Sequence, residues 1–242
     1  MLSMRYLRMN EQLKFKTILR KLNDDNVLGL SGSVTYINNF SLFELLKLDV
    51  EILNEITHVR CDGGLLAICL WPFTGRVLRR ASFDMTSDAK SLFEHLNGNK
   101  AKVVAIGGTE RENHLFVKKM TEYYPQSKWC GINGFLDAEE IVAKVIQIPD
   151  VDCLIVGLGT PLQERVQYLL KDLEITSFTC GGFITQTSKS EGIKYYPDII
   201  DRMNLRWLFR MINEQHVARR VLVKYPISLA KLVKLLIRRD YS

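Results

Sequence analysis

The chain has few residues of the kinds that mark disulfide-linked or metal-binding proteins. Its 242 residues include five cysteines and four histidines. They are scattered along the sequence without the short spacing of zinc ligands, so we expect no metal site. The cysteines are best interpreted as small buried hydrophobic residues in a reducing compartment. They are Cys61, Cys69, Cys130, Cys153 and Cys180.

Long apolar runs are also missing. Residues 1–21 mix charged and apolar side chains and lack the hydrophobic centre of a secretion signal. The longest apolar stretch, residues 63–73, contains a proline and is about half of the roughly 20 residues that a membrane-spanning helix needs. We therefore expect a cytosolic protein or one attached to a membrane surface.

Acidic residues are scarce only near the C-terminus. Residues 201–242 hold ten Lys or Arg against three Asp or Glu, whereas the rest of the chain holds 23 against 24. This basic segment predicts an anionic partner, such as lipid headgroups, nucleic acid or a phosphorylated substrate. It lacks the interleaved aromatic residues of a single-strand nucleic-acid binder, so nucleic acid is the least favoured of the three.

Short apolar runs alternate with segments of helical periodicity, and 47% hydrophobic content is enough for a sizeable core. The alternation predicts an α/β protein with a Rossmann-like, doubly wound sheet over residues 1–197, followed by a basic helical appendage over residues 198–242. The predicted strands are 33–37, 58–61, 103–106, 129–132, 151–156 and 176–180, and the predicted helices include 41–56, 111–124, 138–148 and 163–173.

The most informative loop is Gly-Leu-Gly-Thr-Pro-Leu-Gln-Glu at residues 157–164, directly after a predicted strand. Ligands of such sheets bind beyond the carboxyl ends of the strands. With Thr160 as the cap and Pro161 at the first helical position, a helix would begin here with free amides that can bind a phosphate. Alternatively, Thr160 and Gln163 form a capping box that only closes the helix. The loop lacks the third glycine of a dinucleotide site, which disfavours a nicotinamide enzyme.

A second glycine loop follows the strand at 103–106. Its Thr109 and Glu112 have the spacing of a capping box, for which a structural role is the favoured interpretation. Three further loops, at 38–39, 62–63 and 181–183, also follow predicted strands and would lie at the same edge of the sheet.

The appendage contains two predicted helices. In 198–212 the arginines recur every four residues and share one face, which is either a phosphate-binding face or a solvated charge stripe. In 227–239 a line of polar residues opposes a wide apolar face, as in a helix that lies in a membrane interface; the alternative is a helix packed on the core. The two sets are Arg202, Arg206 and Arg210, and Ser228, Lys231, Lys234 and Arg238.

Read together, the loops resemble the WecG/TagA/CpsF family of bacterial glycosyltransferases over about residues 33–226. The resemblance rests on Thr35 with Asn38, Asp62-Gly63, Arg80 with Asp84, Gly107-Gly108, Gly134-Phe135, the residues Gly157, Gly159, Pro161, Gln163 and Glu164, Gly181-Gly182-Phe183, and Leu205-x-Trp207-Leu208-Phe209-Arg210.

The resemblance implies sugar transfer from a UDP-sugar to a polyprenyl-diphosphate-linked saccharide during cell-surface polysaccharide synthesis. It further implies inversion at the anomeric carbon, no cofactor and no obligatory metal. The protein would be peripheral, on the inner face of the bacterial plasma membrane, with the basic C-terminal tail against anionic lipid. Nucleic acid would not be a partner, and a homo-oligomer is left open.

Residue roles follow from the same resemblance. Asp62 would be the general base, unless it is only a turn aspartate before Gly63. Thr35 would bind the sugar and Asn38 would shape that pocket, although either could simply end a strand. The nucleotide and donor would be held by Gly107, Gly134, Phe135, Gly157, Gly159, Gln163, Gly181 and Gly182.

Arginines would neutralise the leaving diphosphate or the acceptor diphosphate. The planar guanidinium binds phosphate in two places and stays charged, and without a metal such fixed donors must stabilise the developing charge. The candidates are Arg80, Arg206, Arg210, Arg219 and Arg220.

The chain also departs from the family pattern. Residues 184–189 follow Phe183 where the family usually has an Asp and then Ala-Gly, Ser82 replaces a usual Gly, and the Thr35 to Asn38 spacing is one residue longer. The donor is therefore left open between aminosugar acids, N-acetylmannosamine and neutral hexoses. Two alternatives remain: a family member that acts as a scaffold without turnover, and a nucleic-acid-binding protein.

Overall fold

A computed structural model describes residues 2–193 and 223–237, with side chains over 10–193 and 223–235. All six predicted strands are present, in one parallel sheet with the order β2-β1-β6-β5-β3-β4. The prediction of an α/β, Rossmann-like sheet is thereby confirmed. The strands are β1 Ser33–Ile37, β2 His58–Cys61, β3 Lys102–Gly107, β4 Lys128–Ile132, β5 Cys153–Gly157 and β6 Thr176–Thr179.

Helices cover both faces of the sheet. Those of the described residues are α1 Leu2–Arg20, α2 Ser41–Leu45, α3 Val50–Glu55, α4 Gly64–Thr74, α5 Asp88–Gly98, α6 Glu110–Tyr123, α7 Ala138–Ile146, α8 Leu162–Leu169, α9 Phe183–Lys189 and α10 Tyr225–Ile237. Short 3₁₀ turns lie at Val27–Gly29 and Lys171–Leu173.

Alternate residues of each strand supply the two faces, as the twofold repeat of a strand requires. On β1, Val34 and Tyr36 join the core cluster that includes residues of α5, α6 and α9. Ile37 points to the opposite side and joins a cluster with residues of α1 to α4 and α10. A third cluster packs β3 and β5 against α7 and α8. The sheet therefore packs against apolar residues on both faces, as is usual for a parallel sheet.

Some helices begin as predicted. The capping box of α6 is formed: the Thr109 hydroxyl accepts from the Glu112 amide, and the Glu112 carboxylate accepts from the Thr109 amide. The predicted helix 41–56 is instead two helices, because the backbone of Asp49 is extended and starts α3 as a new helix.

The predicted start of α8 is wrong. Pro161 precedes the helix rather than occupying its first position, and Thr160 does not cap it. The Thr160 hydroxyl contacts the side chains of Gln163 and Glu164 instead of a backbone amide. The capping box of Thr160 with Gln163 is therefore not formed, because side-chain partners compete successfully for the hydroxyl.

Several segments that carried no secondary-structure prediction are helical, among them α1, α4, α5 and α9. The apolar stretch 63–73 lies almost wholly in α4, with Pro72 inside the last turn. The segment after Phe183 that departs from the family pattern forms α9, which is tied to α6 by a 2.9 Å ion pair between Lys189 and Glu112. Over residues 2–193 and 223–237, no helix combines the length and the apolar character needed to cross a bilayer.

The C-terminal predictions are tested only in part. The helix predicted at 227–239 is present as α10, and its Leu232 is buried in the core cluster with α4. Ser228 does not belong to an exposed polar line: it is 5% exposed, and its hydroxyl donates to the Lys224 carbonyl. The helix predicted at 198–212 and the domain boundary after residue 197 lie outside the described residues.

Candidate active site

The candidate base, Asp62, is the first residue after β2 and is partly exposed. Its amide donates a 2.7 Å hydrogen bond to the carbonyl of Ile37, the last residue of β1. One residue away, the amide of Ala81 donates to the Cys61 carbonyl at 2.8 Å. These two bonds bring the backbones of Asn38, Asp62 and Arg80 together at the carboxyl edge, the side of the sheet where the strands end. We call this place the Asp62 corner. The structure therefore gathers three of the predicted site residues.

Asn38 shapes this corner through its side chain. Its Oδ1 accepts from the amides of Phe40 and Ser41 at 3.0 Å each, and its own amide donates to the Ser41 hydroxyl. These bonds turn the chain from β1 into α2. The neighbouring Asn39 is buried, and within the described residues its Nδ2 has no hydrogen-bond partner.

The predicted glycines fall into two groups, of which the first allows loops to touch. A Cβ on Gly107 would lie 2.6 Å from the Gly157 carbonyl oxygen, and one on Gly134 would lie 2.6 Å from the Gly107 Cα. A Cβ on Gly157 would lie 2.8 Å from the Gly181 carbonyl oxygen. The loops after β4, β3, β5 and β6 therefore pack in a row in which no larger residue fits.

In the second group, Gly159 and Gly181 face open space. Gly159 and Gly181 have positive φ angles of 77° and 53°, and a Cβ on either would meet no atom within 4 Å. Gly182 begins the turn into α9 and is exposed. Glycine is needed at the first two positions for backbone conformation, and a ligand can approach the backbone there.

Phe135 stands out at the same edge because 77% of it is exposed. Its amide donates to Oδ1 of Asn133 at 2.9 Å, and the amide of Gly134 donates to the Gly108 carbonyl. The loop is thus held in place while the ring projects into solvent. Such a ring offers a flat surface on which a planar ligand can stack.

A buried polar cluster lies behind the glycine loop and is centred on Glu164. Its Oε1 accepts hydrogen bonds from the hydroxyls of Thr35, at 2.6 Å, and Thr160, at 3.1 Å, and from Nε2 of Gln163, at 2.9 Å. Burial raises the pKa of the Glu164 carboxyl, and hydrogen bonds from Thr35, Gln163 and Thr160 oppose that rise. Sequence reasoning did not assign Glu164 a role; the only signal was its place beside Gln163 in the motif.

This cluster brings Thr35 and Gln163 together but removes both from the surface. Thr35 is fully buried and Gln163 is 3% exposed. The Thr35 hydroxyl also lies 3.1 Å from the Thr179 hydroxyl, so its hydrogen-bonding groups are occupied within the protein. Because all strands are parallel, Asp62 after β2 and Gln163 after β5 lie at the same edge of the sheet, as the predicted site requires.

A cavity of about 330 Å³ lies between α3 and α8 and extends to the amino ends of β1 and β6. Glu164 and Gln167 are among its lining residues. It is separate from the carboxyl edge, where the motif loops converge. We therefore assign the candidate active site to the edge and not to this cavity.

An exposed apolar surface begins next to Asp62. Helix α4 starts two residues later and exposes Leu65 (48%), Ile68 (65%) and Trp71 (55%), while its other side is buried in the core. Helix α10 contacts α4 and exposes Ile227 and Val233. We call these five residues the α4–α10 surface. The exposed side chains of Lys231 and Lys234 lie on α10.

Of the five arginines that were predicted to bind phosphate, one lies within the described residues. Arg206, Arg210, Arg219 and Arg220 lie outside the described residues. Arg80 alone is seen, at the Asp62 corner.

The chain is similar to several glycosyltransferases of known name. A UDP-Gal:alpha-D-GlcNAc-diphosphoundecaprenol beta-1,4-galactosyltransferase of Shigella boydii is 33% identical over 209 residues, covering 84% of this chain and 86% of the relative. An N-acetylglucosaminyldiphosphoundecaprenol N-acetyl-beta-D-mannosaminyltransferase of Bacillus subtilis (strain 168) is 28% identical, covering 75% and 71%.

A transferase of the same name from Staphylococcus aureus (strain MRSA252) is 22% identical, covering 90% of this chain and 84% of the relative. The model of the family described as "Glycosyl transferase WecG/TagA/CpsF family" matches residues 10–241, which is nearly the whole chain. The chain therefore belongs to the WecG/TagA/CpsF family of glycosyltransferases.

Proposed function

We propose that the protein transfers a sugar from a UDP-sugar to a saccharide linked to polyprenyl diphosphate, as a step in cell-surface polysaccharide synthesis. The observation that carries the proposal is the convergence of the Asp62 corner, the open glycines and Phe135 at one edge of the sheet. The relatives are named as transferases that act on diphosphoundecaprenol-linked GlcNAc, which supports this substrate class.

In the proposed reaction, Asp62 accepts the proton of the attacking acceptor hydroxyl. The hydroxyl oxygen forms a bond to the anomeric carbon of the donor while the bond from that carbon to UDP breaks, and UDP leaves with the electron pair. A single displacement of this kind inverts the configuration. The position of Asp62 favours the role, since it is partly buried and held at a strand end by its amide.

The nucleotide would lie across the neighbouring loops. Gly159, Gly181 and Gly182 would let the diphosphate approach the backbone, and Phe135 would stack on the base. Gly107, Gly134 and Gly157 would act indirectly, by letting the loops pack against each other. Thr35 and Gln163 would also act from behind, because their side chains are buried.

Charge on the leaving diphosphate would be neutralised by arginines, without a metal or another cofactor. Arg80 lies beside Asp62, and Arg206, Arg210, Arg219 and Arg220 of the basic segment would complete the set. Arginine suits this task because its fork donates two parallel hydrogen bonds to phosphate.

The α4–α10 surface would rest on the cytoplasmic side of the plasma membrane. Exposed apolar patches next to basic residues favour the interface of an anionic bilayer. The contact would place Asp62, two residues before α4, close to a lipid-linked acceptor. The proposed membrane contact therefore includes α4 as well as the C-terminal helix, which was predicted from the charge pattern alone.

UDP-galactose is the donor to test first, because the 33% identical relative is named as a galactosyltransferase. Purified full-length protein should be assayed with UDP-galactose, UDP-N-acetylglucosamine and UDP-N-acetylmannosamine against a GlcNAc-diphospholipid acceptor, with mass detection of the product. Transfer from one donor is expected. No transfer from any of them, with folded protein and added membranes, would contradict the proposal.

A scaffold without turnover is the second candidate, favoured by the altered segment that forms α9. A rise in melting temperature with UDP separates the two, because a ligand that binds only the folded state raises its stability. The enzyme should show the rise, and a scaffold with a lost site should not.

A further inference from the structure

Glu164 ends a chain of hydrogen bonds that crosses two strands. The amide of Tyr36 donates to the Thr179 hydroxyl, so the Thr179 proton is left to point at Thr35, and the Thr35 hydroxyl donates to Glu164 Oε1. The relay joins β1, β6 and the first turn of α8. A movement of the Glu164 carboxyl would therefore displace β1. The carbonyl of Ile37, the last residue of β1, accepts the hydrogen bond from the Asp62 amide.

The same oxygen also fixes the glycine loop. Thr160 and Gln163 both donate to it, and Gln163 Nε2 donates in addition to the Thr160 hydroxyl at 3.1 Å. Thr160 directly follows Gly159, the glycine that faces open space. Three donors thus converge on a single oxygen just behind the proposed diphosphate position.

The second oxygen of the Glu164 carboxyl is buried as well. Glu164 is 1% exposed, and within the described residues its Oε2 has no hydrogen-bond partner. The ion pairs among the described residues do not include it. Burial of a carboxyl that has no ion-pair partner and one oxygen without a hydrogen bond costs free energy, so an apolar side chain would serve packing better.

We propose that Glu164 is a positioning residue of the nucleotide site. It sets the shape of loop 157–161 and couples that loop to β1, the strand beside the proposed catalytic base Asp62. The proposal rests on the function proposed above. It also gives Thr35 and Gln163 a role consistent with their burial: they hold the carboxyl, and the carboxyl holds the loop.

The test compares three variants of the full-length protein in the transferase assay. Glu164→Ala removes the acceptor that Thr35, Thr160 and Gln163 share. Glu164→Gln keeps an oxygen that can accept the same bonds. Gln167→Ala is the matched control: Gln167 is on the same helix and 4% exposed, and among the described residues its Nε2 bonds to Ser177 and the Val34 carbonyl.

We expect Glu164→Ala to raise the KM for the UDP-sugar about tenfold or more, with a smaller change in kcat, because a misplaced loop costs about as much as one or two buried hydrogen bonds. Glu164→Gln should recover most of that affinity. Gln167→Ala should lower the melting temperature as Glu164→Ala does, but it should leave the KM near that of the wild type.

Equal effects of Glu164→Ala and Gln167→Ala on KM would overturn the proposal, because both would then act through general stability. An unchanged KM in folded Glu164→Ala would also overturn it. If the wild-type protein transfers sugar, either result leaves the proposed function standing. If the wild-type protein transfers none, the proposed function fails and the role of Glu164 fails with it.

Discussion

The amide of Asp62 donates a hydrogen bond of 2.7 Å to the carbonyl oxygen of Ile37. The bond extends the pairing of β2 with β1 by one residue beyond the strands and fixes the backbone from which the Asp62 side chain projects. It also places that residue beside Asn38 and the segment that carries Arg80. A carboxylate on such a rigid backbone can be held within hydrogen-bond reach of an acceptor hydroxyl.

Replacing Asp62 with Asn tests its role as the base. The amide is of similar size but cannot accept the proton, so kcat should fall roughly 100-fold or more while UDP still raises the melting temperature as in the wild type. Asp172→Asn, which changes an exposed acid after α8, is the control and should behave as wild type. Parallel loss of turnover and UDP binding in Asp62→Asn would indicate a structural role.

Gly107→Ala tests the row of touching loops. The new Cβ would lie 2.6 Å from the Gly157 carbonyl oxygen, a backbone atom that cannot move without shifting loop 157–161. We expect destabilisation of about 1–3 kcal/mol in denaturant unfolding, and weaker UDP binding. At Gly29, where a Cβ meets nothing within 4 Å, alanine should change stability by less than about 0.5 kcal/mol. Equal stability of the two variants would contradict the packing argument.

The double variant Ile68→Ser, Trp71→Ser tests the membrane surface. These side chains are exposed, so the fold should tolerate the change, while sedimentation with anionic vesicles should fall severalfold through the lost apolar contact. Ile146→Ser on α7 is a matched control, since Ile146 is 60% exposed and lies on another helix. These point variants are preferable to truncation after Pro226, because truncation would also remove the buried Leu232 and so disturb the core.

The pH dependence of stability should report on Glu164. Its pKa is raised above 4.5 by burial, so the folded protein holds that proton more tightly than the unfolded chain. The stabilising contribution is therefore complete below pH 4.5 and is lost as the pH rises through the folded-state pKa. The melting temperature of Glu164→Gln, relative to wild type, should increase from acid to neutral pH. A constant difference would show that the carboxyl does not titrate on unfolding.

The sequence predicted the strands well because each is a short run with apolar or β-branched residues that is followed closely by glycine, asparagine or aspartate. It did not predict α4, because that helix is apolar on its core side and also at Leu65, Ile68 and Trp71. Because the helix has no polar face, its sequence lacks the alternation of polar and apolar residues that would predict a helix. The exposure of those three residues is visible only in the folded chain.

The sequence predicted which loops meet at the carboxyl edge, but not how their residues are used. Motif glycines lie at that edge as expected, yet sequence alone cannot separate Gly107, which other loops touch, from Gly159, which faces open space. Glu164 was not given a role because a carboxylate is expected in solvent. Its burial depends on Thr35, which is distant in the chain and adjacent only after β1 and α8 pack.

Phe135 provides a test that distinguishes base recognition from phosphate binding. The ring is 77% exposed, so Phe135→Ala should leave the melting temperature of the free protein nearly unchanged. Stacking of a base on an aromatic ring contributes about 1–3 kcal/mol, so the inhibition constant of UDP should rise about tenfold. Inhibition by pyrophosphate, which has no base, should not change. Tyr123→Ala, at a 52% exposed ring on α6, serves as the control. If the inhibition constants of UDP and pyrophosphate rise together, Phe135 supports the loop and does not contact the nucleotide base.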